Sequence, residues 1–131
     1  MSRWRLTVPV LLAIIVATPG AAQAPAAKAL GRRLTEWLYL GQGDSIYAHM
    51  DPETQKGVGS PAAFQNFKGM IEEQGGFEVA IASEEVLPEA DGKSVRYERR
   101  VRFSKVPEIP ILVQWVFGPD GKVTGFDINS D

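Results

Sequence analysis

From Phe77 to Phe103, apolar and polar residues alternate along two strand-like runs that meet at Ala90-Asp91-Gly92-Lys93. Asp-Gly between β-rich segments predicts a two-residue type I′ hairpin turn, in which both central residues need positive φ. With Asp91 and Gly92 as the turn, counting outward pairs Pro88 with Val95, Val86 with Tyr97, Glu84 with Arg99, Ala82 with Val101 and Ala80 with Phe103. Those pairs share one face, because side chains alternate along a strand. That face is apolar except where Glu84 stands opposite Arg99. The other face carries Glu89/Ser94, Leu87/Arg96, Glu85/Glu98, Ser83/Arg100 and Ile81/Arg102, and is mostly polar. The pattern predicts a sheet with an inside and an outside, and one ion pair on the inside.

Upstream of Phe77 the apolar period is helical. Leu30, Leu34, Trp37 and Leu38 form one stripe of a helix over Ala26–Leu40, and Gly41-Gln42-Gly43 ends it. Asp44 is placed to cap a short helix with Ile46, Tyr47 and Met50, and Asp51-Pro52 starts another through about Val58. Ser60-Pro61-Ala62-Ala63 sets serine at an N-cap and proline at the first helical position. The helix that follows carries Phe64, Phe67, Met70 and Ile71 on one face and stops at Gly75-Gly76.

Downstream, Pro107-Glu108-Ile109-Pro110 is a turn, and Ile109–Phe117 is a third strand, apolar on both faces. Gly118-Pro119-Asp120-Gly121 reads as a type I turn closed by a left-handed glycine, with Lys122–Ser130 returning as a fourth strand. That register sets Trp115 opposite Gly125 as a packing device, Val113 opposite Asp127 and Phe117 opposite Val123. Helices first and an antiparallel meander after them is an α+β order, with N-terminal helices packed on a four-stranded antiparallel sheet. An outer face that stays apolar on the third strand is expected to meet something, a second copy of the chain through the sheet being one candidate.

The first two dozen residues break this pattern. Arg3 and Arg5 make a basic head, Leu6–Ala17 is an apolar run too short to span a bilayer, and Ala21-Ala22-Gln23-Ala24-Pro25-Ala26 supplies small residues for cleavage. A signal peptide over residues 1–24, cut near 22–26, is expected, with the domain over 25–131 and an exported, periplasmic or secreted location. Ala22-Gln23-Ala24 fits the cleavage rule, but Pro25 after the bond hinders it, so cutting after Ala22 or Ala26 stays open. A retained membrane anchor is the other reading; lipoprotein processing is excluded, because no cysteine follows. Loss of Arg3 and Arg5 takes the net charge from −2 to −4, and no basic stripe stands out, which excludes nucleic acid as the expected partner. The absence of cysteine leaves the core, not disulfides, to hold an exported chain together.

Several stretches carry a resemblance: Leu40-Gly-Gln-Gly-Asp44-Ser-Ile-Tyr47-Ala48, Asp51-Pro-Glu53, Ser60-Pro-Ala-Ala-Phe64, and Val113-Gln-Trp-Val-Phe-Gly-Pro-Asp-Gly-Lys-Val-Thr-Gly-Phe126. With these the chain resembles the nuclear transport factor 2-like superfamily, and within it an envelope-associated branch. That superfamily also includes ketosteroid isomerases and SnoaL-type cyclases. The resemblance covers about Ala26 to Ser130 and implies a curved, cone-like sheet enclosing a cavity. Its motifs are caps, turns and core positions, which speak to fold and carry almost nothing about activity.

The chemistry is sparse. There is no Gly-x-Ser-x-Gly elbow, Ser-x-x-Lys, His-Glu-x-x-His or phosphate-binding loop, and one histidine with no cysteine makes a zinc site improbable. No metal and no cofactor is expected. Glu84 opposite Arg99 is either a structural ion pair at the rim or, with Tyr97, part of a cavity wall where Arg99 anchors an anionic group. In the cone that the resemblance implies, Asp127 joins Tyr97 and Arg99 if the Trp115 face is concave, and is merely solvated if it is convex. His49, the only imidazole, is a satisfied helix residue or a general base at the pocket mouth. The ligand-binding candidates are therefore Tyr97, Arg99, Glu84, Trp115 and Asp127, and the catalytic ones Asp127, His49 and Tyr97. Arg96, Arg100 and Arg102 on the outer face form a solvated charge ladder or dock an acidic partner. Two functional readings follow: an exported non-catalytic domain that binds an envelope protein or a small apolar or anionic ligand, and a small isomerase- or cyclase-like enzyme. An enzyme needs a base and a donor converging on one enclosed site.

Overall fold

A computed structural model of the protein describes residues 19–131, so the leader expected over residues 1–24 lies outside the described residues except for 19–24. The order is α1 (Pro19–Leu40), α2 (Gly43–Ala48), α3 (Pro52–Val58), α4 (Ala63–Gln74), β1 (Glu78–Pro88), β2 (Val95–Phe103), β3 (Ile111–Phe117) and β4 (Val123–Ser130). The strands form one antiparallel sheet in the order β1-β2-β3-β4. The expected α+β order of helices and meander is what the chain forms.

α1 begins before Ala26 and carries Pro25 within it. Leu34 and Leu38 are fully buried against the sheet face that holds Val95, Tyr97, Val101, Val113 and Trp115, so this Trp115 face is the inner one. Approach is closest at Gly31, where a Cβ would sit 2.4 Å from the Tyr97 ring. Behind α1, Gly41 with φ +72° reverses the chain, and Asp51 caps α3 by accepting from the Thr54 amide at 2.9 Å. Two caps differ from expectation. Asp44 lies inside the first turn of α2, whose N-cap is Gln42, and Ser60-Pro61-Ala62 forms a separate turn ahead of α4, so neither side chain caps a helix.

Both hairpins depart from simple counting, for local reasons. At the first, Asp91 keeps negative φ and only Gly92 is left-handed, at +69°. The Asp91 carboxylate accepts from the Lys93 and Ser94 amides, so a four-residue loop closed by Glu89 and Ser94 replaces the type I′ turn. The longer loop is symmetric about the same point, so the pairing from Pro88/Val95 to Glu84/Arg99 and Ser83/Arg100 is as expected. Bulges at Ala82 and Val79 then slip it, giving Ile81/Val101, Ala80/Arg102 and Glu78/Phe103 in place of Ala82/Val101, Ile81/Arg102 and Ala80/Phe103. At the second hairpin Gly121 is left-handed and Phe117 faces Val123 as expected. An extra residue at Thr124 shifts everything beyond: Gly125 faces Val116, Phe126 faces Trp115, Asp127 faces Gln114 and Ile128 faces Val113.

Candidate functional site

The inner face holds a polar chain between α1 and the first hairpin. Arg32 donates two hydrogen bonds from Nε and Nη2 to Glu84, and the Tyr97 hydroxyl donates to the same carboxylate at 2.6 Å. Arg99 pairs with Glu78, whose carboxylate also accepts from the Tyr39 hydroxyl at 2.7 Å. Glu84 and Arg99 are thus register partners, as counted, but not an ion pair. α1 supplies Arg32 to the glutamate, and the bulged end of β1 supplies Glu78 to the arginine.

The electrostatics follow the bonding. Arg32 hydrogen bonding holds Glu84 down at about 2, assisted by the Tyr97 hydroxyl and opposed by burial. Burial and the bond to Glu84 push Tyr97 up, and burial with the bond to Glu78 does the same to Tyr39. Burial acts against the charge on Arg99, but Glu78 and Tyr97 outweigh it and raise its pKa. Both tyrosines stay neutral donors and both arginines stay charged. Two cations meet two anions, and within this network the Arg99 Nε–H is buried without a partner, as Gln23 Oε1 is elsewhere among the described residues. The arrangement clasps α1 to β1 and β2, with its hydrogen-bonding groups turned on one another.

The other candidates lie elsewhere. Asp127 is exposed on the outer face, where Asn129 donates to it at 2.6 Å, so it does not join Tyr97 and Arg99. The bulge at Thr124 is the reason. His49 ends α2 with Nδ1 2.8 Å from the Ser45 carbonyl, which makes that nitrogen the protonated one, and its ring lies against Trp37. Trp115 does not cover Gly125; it stacks on Phe126 with centroids 4.4 Å apart and donates its indole N–H to Thr35. On the outer face, Glu98 is 6% exposed beneath Arg96 and Arg100, with Gln114 donating to it and Arg100 also reaching Asp131. Leu112 lies buried among these groups, leaving little bare apolar surface on that side of β3.

The open space is under α4. This helix packs on α1 and α2, and meets β4 where Phe67 stands edge-on to Phe126, centroids 6.0 Å apart. One cleft, of about 560 Å³, is lined by Met50, Val58, Phe64, Phe67 and Phe126, with Asp51, Glu53, Thr54 and Thr124 as its polar groups. A second, of about 410 Å³, is lined by Ile71, Phe103, Val106, Ile111 and Ile128, with Met70 and Ile109 exposed and Gln74, Asn129 and Ser130 polar. The first halves of α4 and β4 line one cleft and their second halves line the other. The two clefts share no lining residue and lie on either side of the Phe67–Phe126 contact; together they are termed the groove. Each is within the size range of small-molecule sites.

These groove residues escaped the sequence reading. Phe67, Met70 and Ile71 form a helical apolar face, a pattern that core and groove wall share. Only a register with the Thr124 bulge would have placed Phe126 and Ile128 across from them. Among the described residues, no group of three histidine, cysteine or acidic side chains could hold a metal ion. No helix among them is long and apolar enough to cross a membrane. No family model, curated protein or solved structure matches the chain.

Proposed function

We propose that the protein is an exported, non-catalytic binding domain whose ligand lies in the groove between α4 and the inner face of β3 and β4. The cone-like nuclear transport factor 2 resemblance belongs to this reading: the helices-then-meander order fits it, and the groove takes the place of the cone's cavity. One observation carries the proposal. α4 stands off the sheet and leaves two apolar clefts with a single aromatic contact between them. The side chains singled out in the sequence for chemistry, Tyr97, Arg99, Glu84, His49 and Asp127, are spent on the clasp or lie outside the groove.

Gly57 offers a clean test. It lines the larger cleft, and a Cβ added there meets nothing within 4 Å, so a larger side chain starts in open space and Gly57→Phe is expected to occupy part of the cleft. In a thermal-shift screen of neutral apolar and amphiphilic compounds, ligands that raise the Tm of the wild type should leave that of Gly57→Phe unmoved. Equal shifts in both proteins would place binding elsewhere.

Export carries its own expectation. The Gln23 side chain donates to the Pro119 carbonyl at 3.0 Å, and Ala27 is 6% exposed. Cutting after Ala26 would set a charged amine on a buried residue, which is costly. Cutting after Ala22 keeps Gln23 and its bond. N-terminal sequencing of the secreted form should read Gln-Ala-Pro; a start at Ala27 would contradict this.

A further inference from the structure

The groove has unlike ends. Its larger cleft combines three phenylalanine rings with the carboxylates of Asp51 and Glu53, and no lysine, arginine or histidine lines it. The smaller cleft has only neutral polar groups at its edge, Gln74, Asn129 and Ser130. Asp51 spends one oxygen on the Thr54 amide, and Glu53 is exposed with no ion pair in the described structure. Lys122 is the one cation acting on Asp51, and its pull is the weakest of the influences there. Carboxylates beside aromatic faces favour a cation with apolar substituents, since charge and ring quadrupole act in the same sense.

We propose that the groove binds an elongated cationic amphiphile, its ammonium group at the Asp51/Glu53 end and its chain running past Phe67 and Phe126 toward Ile128. An anionic amphiphile would meet two carboxylates at that end and would find only neutral polar groups, and no cation, lining the other. This rests on the groove being the binding site, and it adds the charge and the direction of the ligand.

Three matched probes below their micellar concentrations separate the two claims: decyltrimethylammonium, decanoate and decyl maltoside, titrated calorimetrically into the protein. The cation should bind about tenfold more tightly than decanoate, as one partly screened charge contact allows. Glu53→Gln combined with Asp51→Asn, which keeps a capping side chain, should erase that preference, bringing the cation and decanoate to like affinities. Glu36→Gln, an exposed acid of α1, should change nothing, and a loss there would mean adsorption to an acidic surface and overturn the inference. Equal binding of all three probes, or a preference for decanoate, overturns the cationic ligand while the groove stands. Binding of none overturns the groove itself.

Discussion

Gly31 and Tyr97 show how a single residue sets the fold's tightest contact. Tyr97 is fully buried, and α1 crosses its ring where the helix has no side chain. A Cβ at position 31 would come within 2.4–2.8 Å of three ring atoms, a clash that must move either helix or ring. Gly31→Ala should therefore destabilise the protein by about 1–3 kcal/mol, although alanine is the better helix former. Urea unfolding measures it, and a stabilised variant would mean that α1 does not cross Tyr97 this closely. The same scale shows what the sequence conceals. Counting from Asp91-Gly92 places Glu84 opposite Arg99 correctly, because pairing near a hairpin depends only on the turn's centre. It does not reveal that each charge takes another partner, since Arg32 arrives from a helix 52 residues away in sequence and Glu78 is brought in by bulges. Asp127 is the clearer case: one extra residue at Thr124 turned a cavity candidate into an exposed carboxylate.

Between elements, the Arg32–Glu84–Tyr97 and Arg99–Glu78–Tyr39 bonds hold α1 on the first hairpin, and this clasp is sensitive to acid. The Glu84 carboxyl is held at about 2 against an ordinary 4.5, chiefly by Arg32. A depressed native pKa gives stability that is complete above the unfolded value and lost as pH falls from there through the native one. The wild type should lose stability steadily as pH drops from about 5 toward 2, the window those two values span. Glu84→Gln should start lower at neutral pH and fall less steeply, with Asp91 contributing the same slope to both proteins. Urea midpoints taken down to about pH 3 test this, and parallel curves would show that the clasp carries no linkage. The helices themselves were readable from spacing: the apolar stripe of α1, the Asp51 cap of α3 and the glycine stop of α4 all follow from local chemistry. The separate Ser60-Pro61-Ala62 turn was not readable, because it differs from a capped helix only in whether the first turn continues.

At the scale of the molecule, the helices-then-meander order legible in the sequence becomes a sheet whose inner face is covered by α1 over β1 and β2. Over β3 and β4 the cover is shared by α1 at Trp115, the start of α3 at Val123 and α4 at Phe126, and it leaves a gap at the two clefts. The apolar residues of α4 looked like core because helical periodicity reports which face turns inward, not how closely that face is met. The central claim is that this gap is a binding groove. Methyl spectra of isoleucine and valine test it directly, with decyl maltoside as a neutral probe. Signals of Val58, Ile71, Ile111 and Ile128, which line the two clefts, should shift on titration, while those of Val86 and Val116 hold still. Shifts confined to the exposed Val79 and Ile81 of β1, or no shifts at all, would contradict it.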